Sequence, residues 1–90
     1  MLRARRYLMS GRVQGVGFRW FAQEAAAVEG LYGFVRNLSD GRVEISVEGD
    51  AEALERFERR VRQGPRGARV EDVETIDAVP TGRNTGFSIR

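Results

Sequence analysis

Ninety residues make room for one small domain, which at this size buries only about 60–65% of the surface its unfolded chain exposes. The chain has no cysteine, no histidine and no lysine; disulfides, thiolate nucleophiles, imidazole bases and Cys/His metal sites are therefore excluded. The formal net charge is only +2, but Arg3, Arg5, Arg6, Arg12 and Arg19 all lie in the first 20 residues with no acid among them, so that end should attract an anion.

In chain order, Arg5 to Ser10 reads as a short strand, although its apolar alternation is poor. Phe18, Phe21, Ala22, Ala25 and Val28 recur at helical spacing over 18–29, and Gly30 follows as a left-handed stop. "LYGFVRN" reads as a strand, "LSDG" as a hairpin turn and "RVEISVE" as the returning strand. In that strand Val43, Ile45 and Val47 face one way, and Arg42, Glu44, Ser46 and Glu48 the other.

Asp50 is placed to cap a helix over 51–63 whose buried stripe is Leu54, Phe57 and Val61. Glu52–Arg56, Glu55–Arg59 and Glu58–Arg62 stand at (i, i+4) spacing, each pair worth ~0.2–0.5 kcal/mol on a solvated face. Gly64 and Pro65 end this helix. "RVEDVETIDAV" then carries β-branched residues at irregular spacing, which predicts a strand interrupted by a bulge, and Phe87 and Ile89 mark a last short edge strand. The order βαββαβ predicts an α+β, ferredoxin-like sandwich: a mostly antiparallel sheet with two helices on one face, formed by residues 1–90 as one domain. No apolar run reaches the ~20 residues of a membrane span, and "MLRARRYLMS" lacks the apolar core of a signal peptide, so a cytoplasmic, non-membrane protein is expected.

The stretch "GRVQGVGFRW" places three glycines and an arginine ahead of the first helix. Its first turn contains Arg19 and no Asp or Glu, against the sign of the helix dipole. Trp20 stands where G-x-G-x-x-G needs its last glycine, and a chain without lysine has no P-loop. Two uses of the stretch remain open on spacing alone. The glycines can serve a tight connection with a solvated Arg19, or they can aim backbone N–H groups into one anion-binding concavity that Arg19 completes. Asn37 has the same double reading, as a turn former before "LSDG" or as an amide on the helix-facing side with Leu31, Gly33 and Val35.

Two longer motifs add to this. "GRVQGVGFR" resembles the first signature of the acylphosphatases, and "GFVRNLSDGRVEISVEG" resembles the second; the likeness continues through "GPRGARVEDVE" to the terminal "GFSIR". The resemblance implies hydrolysis of the carboxyl-phosphate anhydride of small acyl phosphates such as acetyl phosphate and 1,3-bisphosphoglycerate. By the same resemblance the phosphate loop comprises Val13, Gln14, Gly15, Val16, Gly17 and Phe18; Arg19 binds phosphate and Asn37 positions the attacking water. It implies no metal and no cofactor. One nearby position departs from some animal members, Leu38 replacing the threonine they carry after the asparagine.

Such a reaction suits a chain without a base. The carboxylate leaving group has a conjugate acid of pKa about 4, so it departs unprotonated at neutral pH. The expected partners are the acyl phosphate and inorganic phosphate, with no nucleic acid, no membrane and a monomeric chain. The rival reading is a non-enzymatic phosphate- or RNA-binding ferredoxin-like module; against RNA, the aromatics lack the central-strand pattern of an RRM. A third is the acylphosphatase-like domain of hydrogenase-maturation carbamoyl-transfer proteins, whose zinc-finger cysteines are missing here. Trp20, Phe21, Phe34 and Phe57 read as core or pocket wall.

Overall fold

The computed structural model describes residues 1–90. Both helices run where their apolar periods place them, α1 over Phe18–Glu29 and α2 over Ala51–Gln63. The strands are β1 (Leu2–Arg12), β2 (Tyr32–Asn37), β3 (Val43–Asp50), β4 (Arg69–Ala78) and β5 (Phe87–Ile89). They form one sheet in the order β4-β1-β3-β2-β5, antiparallel throughout except for the parallel β2–β5 pair. This is the ferredoxin-like α+β sandwich expected from the element order. No helix is long and apolar enough to cross a membrane.

Val43, Ile45 and Val47 point to the helices, as the period of two requires, and join Tyr7, Met9, Leu31 and Val35 beneath them. From α2 the stripe Leu54, Phe57 and Val61 completes this layer, together with Ala53. From α1 the buried residues are Phe18, Ala22, Ala25 and Ala26. Val28 does not belong to the stripe and is 68% exposed. At 3.6 residues per turn it lies roughly 100° from the centre of that set, so Ala26 takes the buried position.

β1 is longer than the expected strand over 5–10 because it is an inner strand, hydrogen-bonded on both sides to β3 and β4. Tyr7, Leu8 and Met9 are buried in succession, on both faces, and this removes the alternation that an amphipathic strand would show. The bulge predicted in β4 is present. Ser10 pairs with Asp72 and Gly11 with Val70, which leaves Glu71 as the extra residue. The bulge comes so close to β1 that a Cβ on Gly11 would sit 2.2 Å from the Arg69 carbonyl oxygen.

The opposite sheet face carries buried charge that is fully partnered. Glu44, 3% exposed, accepts hydrogen bonds from Arg6 of β1 and Arg36 of β2, one on each side. Glu48 receives the Thr81 and Gly82 N–H groups and the Thr81 hydroxyl, which fastens the segment between β4 and β5 over the sheet. Of the three helix pairs expected on α2, only Glu58–Arg62 forms. Arg56 reaches instead to Glu29 of α1 at 2.8 Å, joining the two helices. Nor is Glu58 purely a surface residue, since it also accepts from Arg5 and the buried Tyr7 hydroxyl, both at 3.0 Å.

Burial alone would raise the carboxyls of Glu44, Glu48 and Glu58, but hydrogen bonds from arginine, tyrosine, threonine and backbone N–H outweigh it, and all three lie below the ordinary value of 4.5. A depressed native pKa stabilises the fold above the unfolded value and is lost as pH falls through the native one. Thermal melts should therefore show a plateau above pH 5 and a progressive fall below pH 4.5, with Glu44→Gln flattening that fall.

Candidate active site

The two helices begin in opposite ways. α2 is capped by Asp50, whose carboxylate accepts the Glu52 N–H at 3.2 Å, and Glu52 adds a negative charge to its first turn. α1 starts at Gly17, which offers no side-chain cap, and its first turn holds no acid. Gly17 and Gly15 both take left-handed backbone (φ 79° and 74°), and neither would meet an atom within 4 Å if it carried a Cβ. It is therefore backbone conformation, rather than crowding, that calls for glycine.

The consequence is a run of free donors. No backbone carbonyl or side chain accepts a hydrogen bond from any backbone N–H between Gln14 and Trp20; the helical ladder opens with Phe21 N–H to Gly17 at 3.1 Å. The loop that carries most of this run is pinned at both ends, because Val13 and Phe18 are each 1% exposed and belong to the core.

These residues line a concavity of about 180 Å³ together with the end of β2: Val13, Gly15, Gly17, Phe18 and Arg19 on the loop and first turn, Trp20 beside them, and Asn37 opposite. Arg19 and Asn37, 18 residues apart in sequence, thus share one small cavity. The Arg19 guanidinium donates to the Arg90 carbonyl oxygen at 3.1 Å. Arg90 is itself held by its N–H to Val35 at 2.9 Å, and its guanidinium lies 3.9 Å from the centroid of the Phe34 ring. That contact orients Arg19 from the side away from the loop.

Two residues of the expected loop, Gln14 and Val16, do not line the concavity. Val16 packs against the core. The Gln14 amide donates to the Leu38 and Arg42 carbonyls at 2.8 and 3.0 Å and so ties the loop to the β2–β3 hairpin that carries Asn37. Leu38 needs no side-chain hydroxyl for this, as its N–H reaches Arg42 O at 2.8 Å. Asn37 shares the face of Val35 but is exposed rather than buried, because at the end of β2 the loop, and no helix, lies over it. Among the aromatics, Phe57 is core and Phe21 packs against it, whereas Trp20 is 71% exposed and serves as pocket wall. The Gln14 tie and the Arg90 contact carry no local sequence signal, since each joins a side chain to a backbone carbonyl more than 20 residues away.

A nest of N–H groups at a helix N-terminus with a guanidinium alongside is suited to a small tetrahedral anion. The acylphosphatase family model matches residues 5–89. The chain belongs to the acylphosphatase family. It is 60% identical to the acylphosphatase of Thermus thermophilus over 74% of this chain and 76% of that one. The crystal structure of acylphosphatase from Bacillus subtilis superposes with a TM-score of 0.93 at 41% identity, covering 100% of this chain and 99% of its own. Full-length HypF, crystallised in a phosphate- and nucleotide-bound form, contains a similar unit with a TM-score of 0.92 at 31% identity; the match covers 100% of this chain and 12% of that protein.

The Gln14 tie makes a separable prediction for this acylphosphatase. Gln14→Ala removes two hydrogen bonds and should lower stability in urea by about 1–2 kcal/mol. An unchanged unfolding midpoint would show that the loop holds its place without the hairpin.

Proposed function

We propose that this enzyme hydrolyses acyl phosphates by holding the phosphoryl group in the nest of N–H groups from Gln14 to Trp20, clamped by Arg19, while Asn37 orients the attacking water. Membership of the acylphosphatase family carries the activity; the observation that carries the assignment of roles is the meeting of Arg19, the loop and Asn37 in one concavity. Within that assignment Val13, Gly15, Gly17 and Phe18 form the wall around the phosphate, and Gln14 contributes its N–H while its side chain holds the hairpin.

The phosphoryl group carries two negative charges at neutral pH, and the acid-free first turn of α1 meets them with the helix dipole and free N–H groups. The Arg19 guanidinium adds a donor whose partner on the far side is already fixed. Water attacks phosphorus, the P–O bond to the carboxyl oxygen breaks, and its electron pair leaves with the carboxylate. A phosphoryl oxygen takes the water's proton, so neither step needs a general acid or base from the protein. With a loose transition state, position and charge stabilisation make up most of the catalysis. The substrate and product are small molecules, and the same reading has a cytoplasmic monomer acting on them.

Two variants separate binding from chemistry. Arg19→Lys keeps the charge but loses the planar fork, and should fail to restore the phosphate affinity and turnover lost in Arg19→Ala; wild-type kinetics in the lysine variant would rule out the clamp. Asn37→Ala should lose turnover by about 10²- to 10³-fold, the cost of one oriented catalytic donor, while inorganic phosphate still inhibits with nearly its normal constant. If the folded fraction of that variant kept near-normal turnover and only its melting temperature fell, Asn37 would be a turn residue alone.

A further inference from the structure

Trp20 belongs to two concavities at once. Besides closing the phosphate-sized cavity, it stands at one end of a groove of about 560 Å³ that runs beside α1. One wall of the groove is the helix surface through Gln23, Glu24 and Ala27 to Gly30. The distance along the axis from Trp20 to Gly30 is about 15 Å. The other wall is the chain from Asn84 to Phe87, and Leu31 lies between them. The Gln23 amide bridges the walls, donating to the Phe87 carbonyl at 3.1 Å.

Three features distinguish this groove from incidental surface. Its volume is about three times that of the phosphate cavity and falls in the range of small-molecule sites. Its lining includes an indole that is 71% exposed, an unusual position for the chain's one tryptophan, along with Leu31 and Phe87. And the single formal charge along it is negative, on Glu24, although the chain as a whole is basic.

We propose that the groove receives the acyl group of the substrate, and that the preferred acyl phosphates carry an uncharged, apolar acyl chain of medium length. The proposal rests on the phosphoryl reading above, since a phosphate held at the loop places its carboxyl oxygen beside the shared Trp20 wall. The groove and the phosphate cavity meet at Trp20, the one residue that lines both, and the groove's length suits an extended chain. A second anionic group on the substrate is disfavoured, because it would enter apolar surface next to Glu24 with no cation along the groove to receive it.

The test is kcat/KM for acetyl, butyryl and octanoyl phosphate, and for suberoyl monophosphate, which has eight carbons and a terminal carboxylate. Octanoyl phosphate should exceed acetyl phosphate by about tenfold or more, mainly through KM, against a ceiling of about fourfold per fully buried methylene. Suberoyl monophosphate should lose that gain. Ala27→Trp places bulk in the groove from an exposed helix position and should lower the octanoyl-to-acetyl ratio by about fivefold or more. Brisk acetyl phosphate turnover with no chain-length gain, or a ratio untouched by Ala27→Trp, would overturn the groove alone, which would then be open to a peptide or a second copy of the chain. Failure to hydrolyse any of these acyl phosphates would overturn the phosphoryl reading and the groove with it.

Discussion

Seven consecutive backbone N–H groups, Gln14 to Trp20, have no acceptor inside the protein, and most of the architecture around them serves to keep it so. An ordinary helix start would satisfy one or two of them with a side-chain cap, as Asp50 does for one N–H of α2. Gly17 in the capping position withholds that partner, and the acid-free first turn withholds the charge. The positive end of α1 is thereby left without a negative partner in the chain, and the proposed binding of a phosphoryl group there would let an arginine stand in that turn without the repulsion becoming a defect.

Free donors are useful only if they are held still. The loop is short, and both its ends are buried: Val13 continues from the inner strand β1, and Phe18 begins the buried stripe of α1. Gln14 fastens its side to the β2–β3 hairpin, and the chain Arg19–Arg90–Val35 fastens the guanidinium to β2. Since Asn37 ends that same strand, loop, arginine and amide are referred to one pair of hydrogen-bonded strands. Such prior alignment is what lets a site act by position and charge, without a proton donor.

Both helices, the hairpin and the bulge in β4 were legible because each has a local cause: a 3.6-residue apolar period, a turn with glycine, an irregular run of β-branched residues. The full length of β1 is not legible, because burial on both faces erases alternation at Tyr7, Leu8 and Met9. Spacing pairs Arg56 with Glu52 of its own helix, but Glu29 on α1 is within reach, and spacing along one helix cannot reveal contacts across two. In the site, spacing alone leaves two uses open for the glycine turn and Arg19, and the family resemblance is what assigns them, with Asn37, to a phosphate site. The exposure of Asn37 could not be read, because a period of two gives a residue's face but not what covers it. Nor could Gln14 and Arg90 be found, for their partners are backbone carbonyls brought near only by the fold.

In the proposed mechanism this acylphosphatase works by positioning and charge stabilisation, with no group that protonates a leaving oxygen. Its rate should therefore depend steeply on the leaving group. Benzoyl phosphate releases a carboxylate whose conjugate acid has a pKa of about 4, whereas phenyl phosphate releases a phenolate whose conjugate acid, like tyrosine, lies near about 10. Steady-state kcat/KM for the two, measured with the same preparation, should favour the anhydride by many orders of magnitude, with phenyl phosphate close to the uncatalysed rate. Comparable turnover of both would contradict the account, because an ester can keep pace only where something in the site donates a proton or otherwise stabilises the departing oxygen.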